Sequence, residues 1–135
     1  MLFGSCGTRE LPDFCFNEDC FVSHAFQWQN GLLIDLGALT PGVSSNSAWI
    51  ATSGLVAGTS ENGEIDPLIS GFPELRAVLW KSSKIIDLGT LNEGNESVAS
   101  AVNSRGQIVG LALNTISDPN SMILPRTHVN TPPAD

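Results

Sequence analysis

An all-β fold, built from two copies of a short four-stranded antiparallel unit, is what the sequence predicts. Three observations carry that expectation. The chain repeats itself at an offset of 52 residues, apolar residues alternate with period two inside each copy, and Gly, Asn or Ser punctuates the runs. No run reaches helical length with apolar residues at i, i+3 and i+4.

The repeat is ungapped. Ala25 to Ser60 lies over Ala77 to Ala112, with identities at Ala25/Ala77, Trp28/Trp80, Ile34/Ile86, Asp35/Asp87, Leu36/Leu88, Gly37/Gly89, Leu39/Leu91, Gly42/Gly94, Ser45/Ser97, Gly54/Gly106 and Gly58/Gly110. Ordinary residue usage would give roughly two or three matches over such a length. Four of the shared residues are glycines, which are retained where a backbone needs positive φ or close approach, so a shared chain path is the simplest cause.

The elements follow in order. Phe26 and Trp28 share a face with Gln27 between them; in the second copy Val78 and Trp80 share a face, and Ala77 and Leu79 opposite are apolar too. Leu32, Ile34 and Leu36 alternate, answered by Ile86 and Leu88, with Lys84 in place of Leu32. A third run of small residues spans Ser47 to Ala51 and Ala99 to Asn103, and a fourth is Leu55 to Gly58 and Gln107 to Leu113. Asn30-Gly31 suits a two-residue type I′ hairpin, where both residues take positive φ. Its counterpart Ser82-Ser83 is weaker turn chemistry and implies a longer loop. Gly54 and Gly106 each fit a three-residue hairpin closed by a left-handed glycine.

Four short strands in about 40 residues, recurring in tandem, is the pattern of a β-propeller blade. A β-trefoil-like or sandwich arrangement is the alternative. Small residues in the third and fourth runs favour a propeller, because strands nearest a central axis have little room. The expected organisation is an N-terminal Cys-containing segment at 1–23, repeat one at 24–60, an acidic Pro/Gly linker loop at 61–76, repeat two at 77–113, and a Pro-rich tail at 114–135. Phe14, Phe16, Phe21 and Val22 are candidates for part of a further unit. The tail reads as largely disordered, with Met122-Ile123-Leu124 the piece able to dock. Closed propellers use roughly four to eight blades. Two copies therefore suggest an incomplete propeller, with self-association through open sheet edges or a truncated fragment without independent function as the consequences.

The spaced motifs His24-Ala25-Phe26-Gln27-Trp28, Asp35-Leu36-Gly37-Ala38-Leu39 with Asp87-Leu88-Gly89-Thr90-Leu91, and Asn103-Ser104-Arg105-Gly106-Gln107-Ile108-Val109-Gly110 carry a resemblance. They resemble the HAF-repeat family, predicted extracellular bacterial repeat proteins named for the His-Ala-Phe start of each unit. The resemblance covers about residues 24 to 113; Thr52 to Gly58 matches the end motif loosely, and the second copy begins Arg76-Ala77-Val78, so His24 is not repeated. It implies a propeller-like repeat at the cell surface or outside it, and no established reaction. No signal peptide is visible in this chain.

The chain has 135 residues, a formal net charge of −8 and 41% hydrophobic residues. That acidic balance argues against nucleic acid, whose phosphates need clustered Lys and Arg. No apolar run approaches a membrane span, which argues against membrane insertion. Cofactor and metal motifs are absent: there is no phosphate loop, His-Glu-x-x-His or Cys-x-x-Cys. The nucleophile elbow is missing as well, so no catalytic set can be nominated.

Each candidate site residue has a structural reading beside a functional one. Cys15 and Cys20 are the pair a short loop could close in an oxidising compartment; three reduced cysteines, Cys6 included, is the alternative. Asp35 and Asp87 recur in register, which fits side chains accepting backbone hydrogen bonds before Gly37 and Gly89 better than a paired-carboxylate site. The acidic stretch Glu61 to Asp66 lacks the spacing of a helix-loop-helix calcium site and reads as a solvated loop. Trp28 and Trp80 read as core. Trp49, opposite Ala101 in the repeat, reads as an exposed aromatic on which a sugar ring could stack. The leading expectation is a non-catalytic β-repeat module presenting loops to protein or glycan. The alternative is a glycan-active hydrolase or lyase whose carboxylates converge on the propeller face.

Overall fold

The structure, a computed structural model, describes residues 21–68 and 71–120. Among these residues it is all-β, with eight strands and no helix: β1 (Phe26–Gln29), β2 (Leu32–Asp35), β3 (Ser45–Ile50), β4 (Val56–Ile65), β5 (Pro73–Lys81), β6 (Lys84–Asp87), β7 (Ser97–Val102) and β8 (Ile108–Ala112). They form three antiparallel sheets: the hairpin β1-β2, a four-stranded sheet in the order β3-β4-β5-β6, and the hairpin β7-β8. The Cys15/Cys20 pair, Phe14, Phe16 and the Met122-Ile123-Leu124 segment lie outside the described residues.

The expected four-stranded units at 24–60 and 77–113 are not the sheets that form. The complete sheet takes β3 and β4 from the first copy and β5 and β6 from the second. A tandem repeat has no preferred starting point, so the sequence leaves the phase of the sheet open. The connections fix it. Residues 36–44 carry the chain from β2 across to a new sheet, whereas β4 returns into β5 through a short loop and pairs with it antiparallel, from Val56↔Trp80 to Glu61↔Leu75 and again at Ile65↔Pro73. The expected linker loop at 61–76 is therefore largely strand, with a register irregularity between Glu61 and Ile65. Nor is it wholly solvated: Asp66 is buried.

The turns obey simple backbone rules. Asn30 and Gly31 have φ of 52° and 79°, as a type I′ hairpin requires. Ser82 and Ser83 take φ of 50° and 64° in a two-residue turn between Lys81 and Lys84, so the longer loop expected there is replaced by the same tight turn in less suitable residues. The strand register on either side leaves only two residues to turn the chain. At the other hairpins, Ala51 N–H donates to Leu55 O at 2.8 Å and Asn103 N–H to Gln107 O at 3.0 Å, closing three-residue loops on left-handed Gly54 and Gly106. A bulge at Ala48 breaks the β3-β4 register, and one at Ser100 breaks β7-β8 at the equivalent place. Opposite them a Cβ on Gly58 would collide with Asn46 O, and one on Gly110 with Val98 O. Only glycine fits.

Two apolar clusters cover the two faces of the central sheet. On one face Val56, Val78 and Trp80 pack with Ala25, Leu36, Leu39 and Ile85. On the other Ala57, Ala77, Leu79 and Ala51 pack with Ala99, Val102, Leu55 and Ile108. Residues flanking the β1-β2 hairpin, Ala25, Leu36 and Leu39, thus cover one face, and β7 lies over the other. Trp80 is core as expected, whereas its counterpart Trp28 is exposed. The reason is positional: β1 ends its sheet, and no described strand covers it.

A buried serine stitches each outer hairpin to the next sheet. Ser45 Oγ accepts from Ala25 N–H at 3.0 Å and donates to Gly37 O at 2.7 Å. Ser97 Oγ repeats this, accepting from Ala77 N–H at 2.9 Å and donating to Gly89 O at 2.6 Å. Each hydroxyl satisfies two backbone groups that no ladder reaches. Ser45→Ala and Ser97→Ala are each expected to lower unfolding stability by about 2–3 kcal/mol, since an orphaned buried group costs about 1–3; urea denaturation measures it. Replacing Ser82-Ser83 by Asn-Gly is expected to raise stability by about 1 kcal/mol, because side chains at positive φ carry a cost near that size. Thermal melts of the two proteins read the difference.

Candidate functional site

Three places hold chemistry-bearing side chains: the His24–Asp35 pair, the carboxylates where the two copies join, and the exposed aromatic on β3.

Asp35 ends β2 and Asp87 ends β6. Gly37 N–H donates to Asp35 Oδ1 at 2.7 Å, and Gly89 N–H donates to Asp87 Oδ1 at 2.8 Å. Both carboxylates therefore hold their own turns, each in a different sheet. Asp35 has a second partner. His24 Nδ1 lies 2.9 Å from both of its oxygens, while His24 Nε2 faces Val43 O at 3.2 Å. The hydrogen bond from His24, and after it the Gly37 N–H, holds the Asp35 carboxyl below its ordinary value. Both ring nitrogens of His24 thus face acceptor oxygens within the protein.

The copies join through a denser set of polar groups. Glu61 Oε2 accepts from Ser44 N–H at 2.9 Å. Glu74 Oε1 accepts from Asn62 Nδ2 at 2.8 Å and pairs with Arg76 at 2.5 Å. Asp66 Oδ1 accepts from Leu68 N–H at 2.7 Å and from Asn95 Nδ2 at 3.0 Å. Glu96 stands beside this group. Burial first, and then the nearby Asp66 and Glu74 carboxylates, pushes its carboxyl above the ordinary value, against an opposing hydrogen bond from Leu75. Arg76 offsets Glu74, and neutral N–H donors hold Glu61 and Asp66, so the group ties the β4–β5 loop down while keeping an excess of negative charge. Among the described residues no three His, Cys, Asp or Glu side chains converge to hold a metal ion. Sequence reasoning missed Glu74 and Glu96 because neither repeats; the one signal is the shared Asp66-Pro67 and Asp118-Pro119 pair, whose aspartates make the same turn, Asn120 N–H donating to Asp118 Oδ1 at 3.0 Å.

Trp49 sits on β3, just after the bulge and at an edge of the central sheet. It is 58% exposed and Ile50 beside it is exposed too. Its counterpart Ala101 is half-buried. Consecutive strand residues point to opposite faces, so Trp49 presents its ring on one face of this edge without Ile50 on that face. The other repeat-defining residues, Trp80, Gly37, Gly89, Gly54, Gly106, Gly58 and Gly110, serve core and turns. The structure thus brings together neither Asp35 with Asp87 nor either of them with Trp49, since they occupy separate elements.

No protein-family model, characterised protein or solved structure gives a significant match to the chain. Its helix-free described region contains no helix long and apolar enough to cross a membrane.

The two shifted carboxyls act in opposite directions on stability. Asp35 contributes stability above the ordinary carboxylate value that is lost as pH falls through its lowered one. Glu96 binds its proton more readily folded than unfolded, so it imposes a cost that grows as pH rises through its raised value and is absent where both states are protonated. Glu96→Gln is therefore expected to be more stable than the parent near pH 7, with the gap closing by about pH 3. Denaturant midpoints across that range measure it.

Proposed function

We propose that the chain is a non-catalytic, propeller-like β-repeat module of the HAF-repeat kind, displayed outside the cell, which presents loops and an exposed aromatic for contact with glycan or protein. The observation that carries this reading is Trp49. It is exposed at 58%, and it is the one tryptophan with no counterpart in the other copy. Residues shared by both copies maintain the backbone; a large side chain that departs from the repeat and faces solvent is free to confer specificity.

The scaffold half of the reading draws on how the sheets stack. The central sheet is covered on both faces, as a blade between neighbours would be. Thr52 Oγ1 and Ser104 Oγ, equivalent residues 52 positions apart, touch at 2.5 Å where two hairpin turns meet. Small residues line the same contact, with Ala51, Ala57 and Ala99 among them. Narrowing of this kind suits strands close to an axis. The carboxylates, by contrast, are spent on turns and on the joint between copies, which favours binding over bond cleavage.

Screening the protein against an array of bacterial and host glycans, with fluorescence titration of any hit, tests the proposal. Binding that Trp49→Ala weakens by about tenfold or more, near 1.4 kcal/mol, is the expected result. Binding indifferent to Trp49→Ala, or cleavage of the bound glycan, would contradict it.

A further inference from the structure

The two half-sheets at the ends of the described fold are complementary to one another. In the central sheet β4 and β5 pair, and their repeat equivalents are β8 and β1. Among the described residues, β8 pairs only with β7 and β1 only with β2, so one edge of each carries no ladder partner. Neither β1 nor β8 contains a charged residue, although the chain as a whole is at −8. Open, uncharged edges of this kind are templates for strand addition.

Side chains tell the same story. Trp80 is 3% exposed and Val78 0%, yet their equivalents Trp28 and Phe26 are 64% and 56% exposed. On the partner edge Ala57 is 0% exposed and its equivalent Val109 66%. Beside β8 lies a groove of about 270 Å³ whose lining includes Ala77, Leu88, Leu91 and Ile108. Shifted back by one repeat these are Ala25, Leu36, Leu39 and Val56, the side chains that enclose Val78, Trp80 and Ile85. The groove is thus the seat of a tryptophan-bearing hairpin, with no such hairpin from the described chain in it. The hairpin that matches it carries Phe26, Trp28 and Leu33, all exposed. It lies at the opposite end of the described fold.

We infer that copies of this chain assemble head to tail, β8 of one chain adding β1 of the next to complete a four-stranded sheet. The register is set by the β4–β5 template: Ile108↔Trp28, Val109↔Gln27, Gly110↔Phe26, Leu111↔Ala25 and Ala112↔His24. Trp28, with Phe26 and Leu33, fills the groove of the neighbouring copy. The contact is heterologous, so it either closes into a ring or runs on as a filament. It rests on the propeller-like reading only for closure: with two units per chain, roughly four to eight blades correspond to two, three or four copies.

Sedimentation equilibrium of the full chain, from low micromolar upward, tests this. One discrete species of two to four chain masses is expected, and a monomer throughout overturns the inference. A ladder of ever longer species supports the pairing while counting against the propeller, so the two failures are distinguishable. Trp28→Glu and Val109→Glu each change an exposed side chain on one edge, and each variant alone is expected to be monomeric. Mixed together they retain one intact β8 and one intact β1, and a heterodimer is expected. Assembly that survives both single substitutions overturns the pairing. Amide exchange of the unaltered protein provides a check independent of any variant: protection in 26–29 and 108–112 is expected to rise with concentration, and no change contradicts assembly through these edges.

Discussion

The β4–β5 ladder is the constraint on which the rest of this structure depends. It joins the two copies of the repeat into one sheet, and by doing so it decides what every other strand must be. Because β4 takes its partner from the second copy, β1-β2 and β7-β8 are each left as a separate two-stranded pair on either side of the central sheet in the chain. The central sheet then has two covered faces, and almost all the buried apolar side chains belong to it or press on it. Nothing in the individual hairpins would hold them in place; isolated two-stranded hairpins are marginal in water. They persist here because Ala25, Leu36 and Leu39 lean on Trp80 and Val78, and Ala99 and Val102 lean on Ala57 and Leu79.

Polar groups fix the spacing of these layers. Ser45 and Ser97 are buried, and each hydroxyl bridges a backbone N–H and a backbone carbonyl belonging to the preceding hairpin and loop. A hydrophobic contact alone would let one layer slide on the next. A hydroxyl with both its donor and its acceptor engaged does not, since any shift orphans two buried groups. This gives a physical reason for the identities Ala25/Ala77, Ser45/Ser97 and Gly37/Gly89: they are the three corners of one hydrogen-bonded joint.

Much of the local structure was legible in the residues. Alternation located the strands, Asn30-Gly31 gave its turn, and Gly54 and Gly106 marked the three-residue loops. The phase of the sheet was not legible, because a tandem pattern reads the same from any starting point. One clue lay in Ala77 to Trp80, apolar on both faces as a central strand must be, against Phe26-Gln27-Trp28 with its polar middle. Identity of residue did not mean identity of environment: Trp28 and Trp80 share a place in the repeat and differ wholly in burial. Ser82-Ser83 misled for a related reason, since strand register forced a turn that the residues themselves do not favour. At the candidate sites, Asp35 and Asp87 serve the turns their spacing implied, while Glu74 and Glu96 could not be found by pattern because burial, not repetition, sets their chemistry.

Cross-strand proton contacts measured by nuclear magnetic resonance address the central claim most directly. Backbone contacts between residues 56–60 and 76–80, following the Gly58↔Val78 register, are what a sheet shared between the copies requires. Contacts between 56–60 and 24–28 instead would mean that each copy closes its own sheet, and the architecture set out above would be wrong.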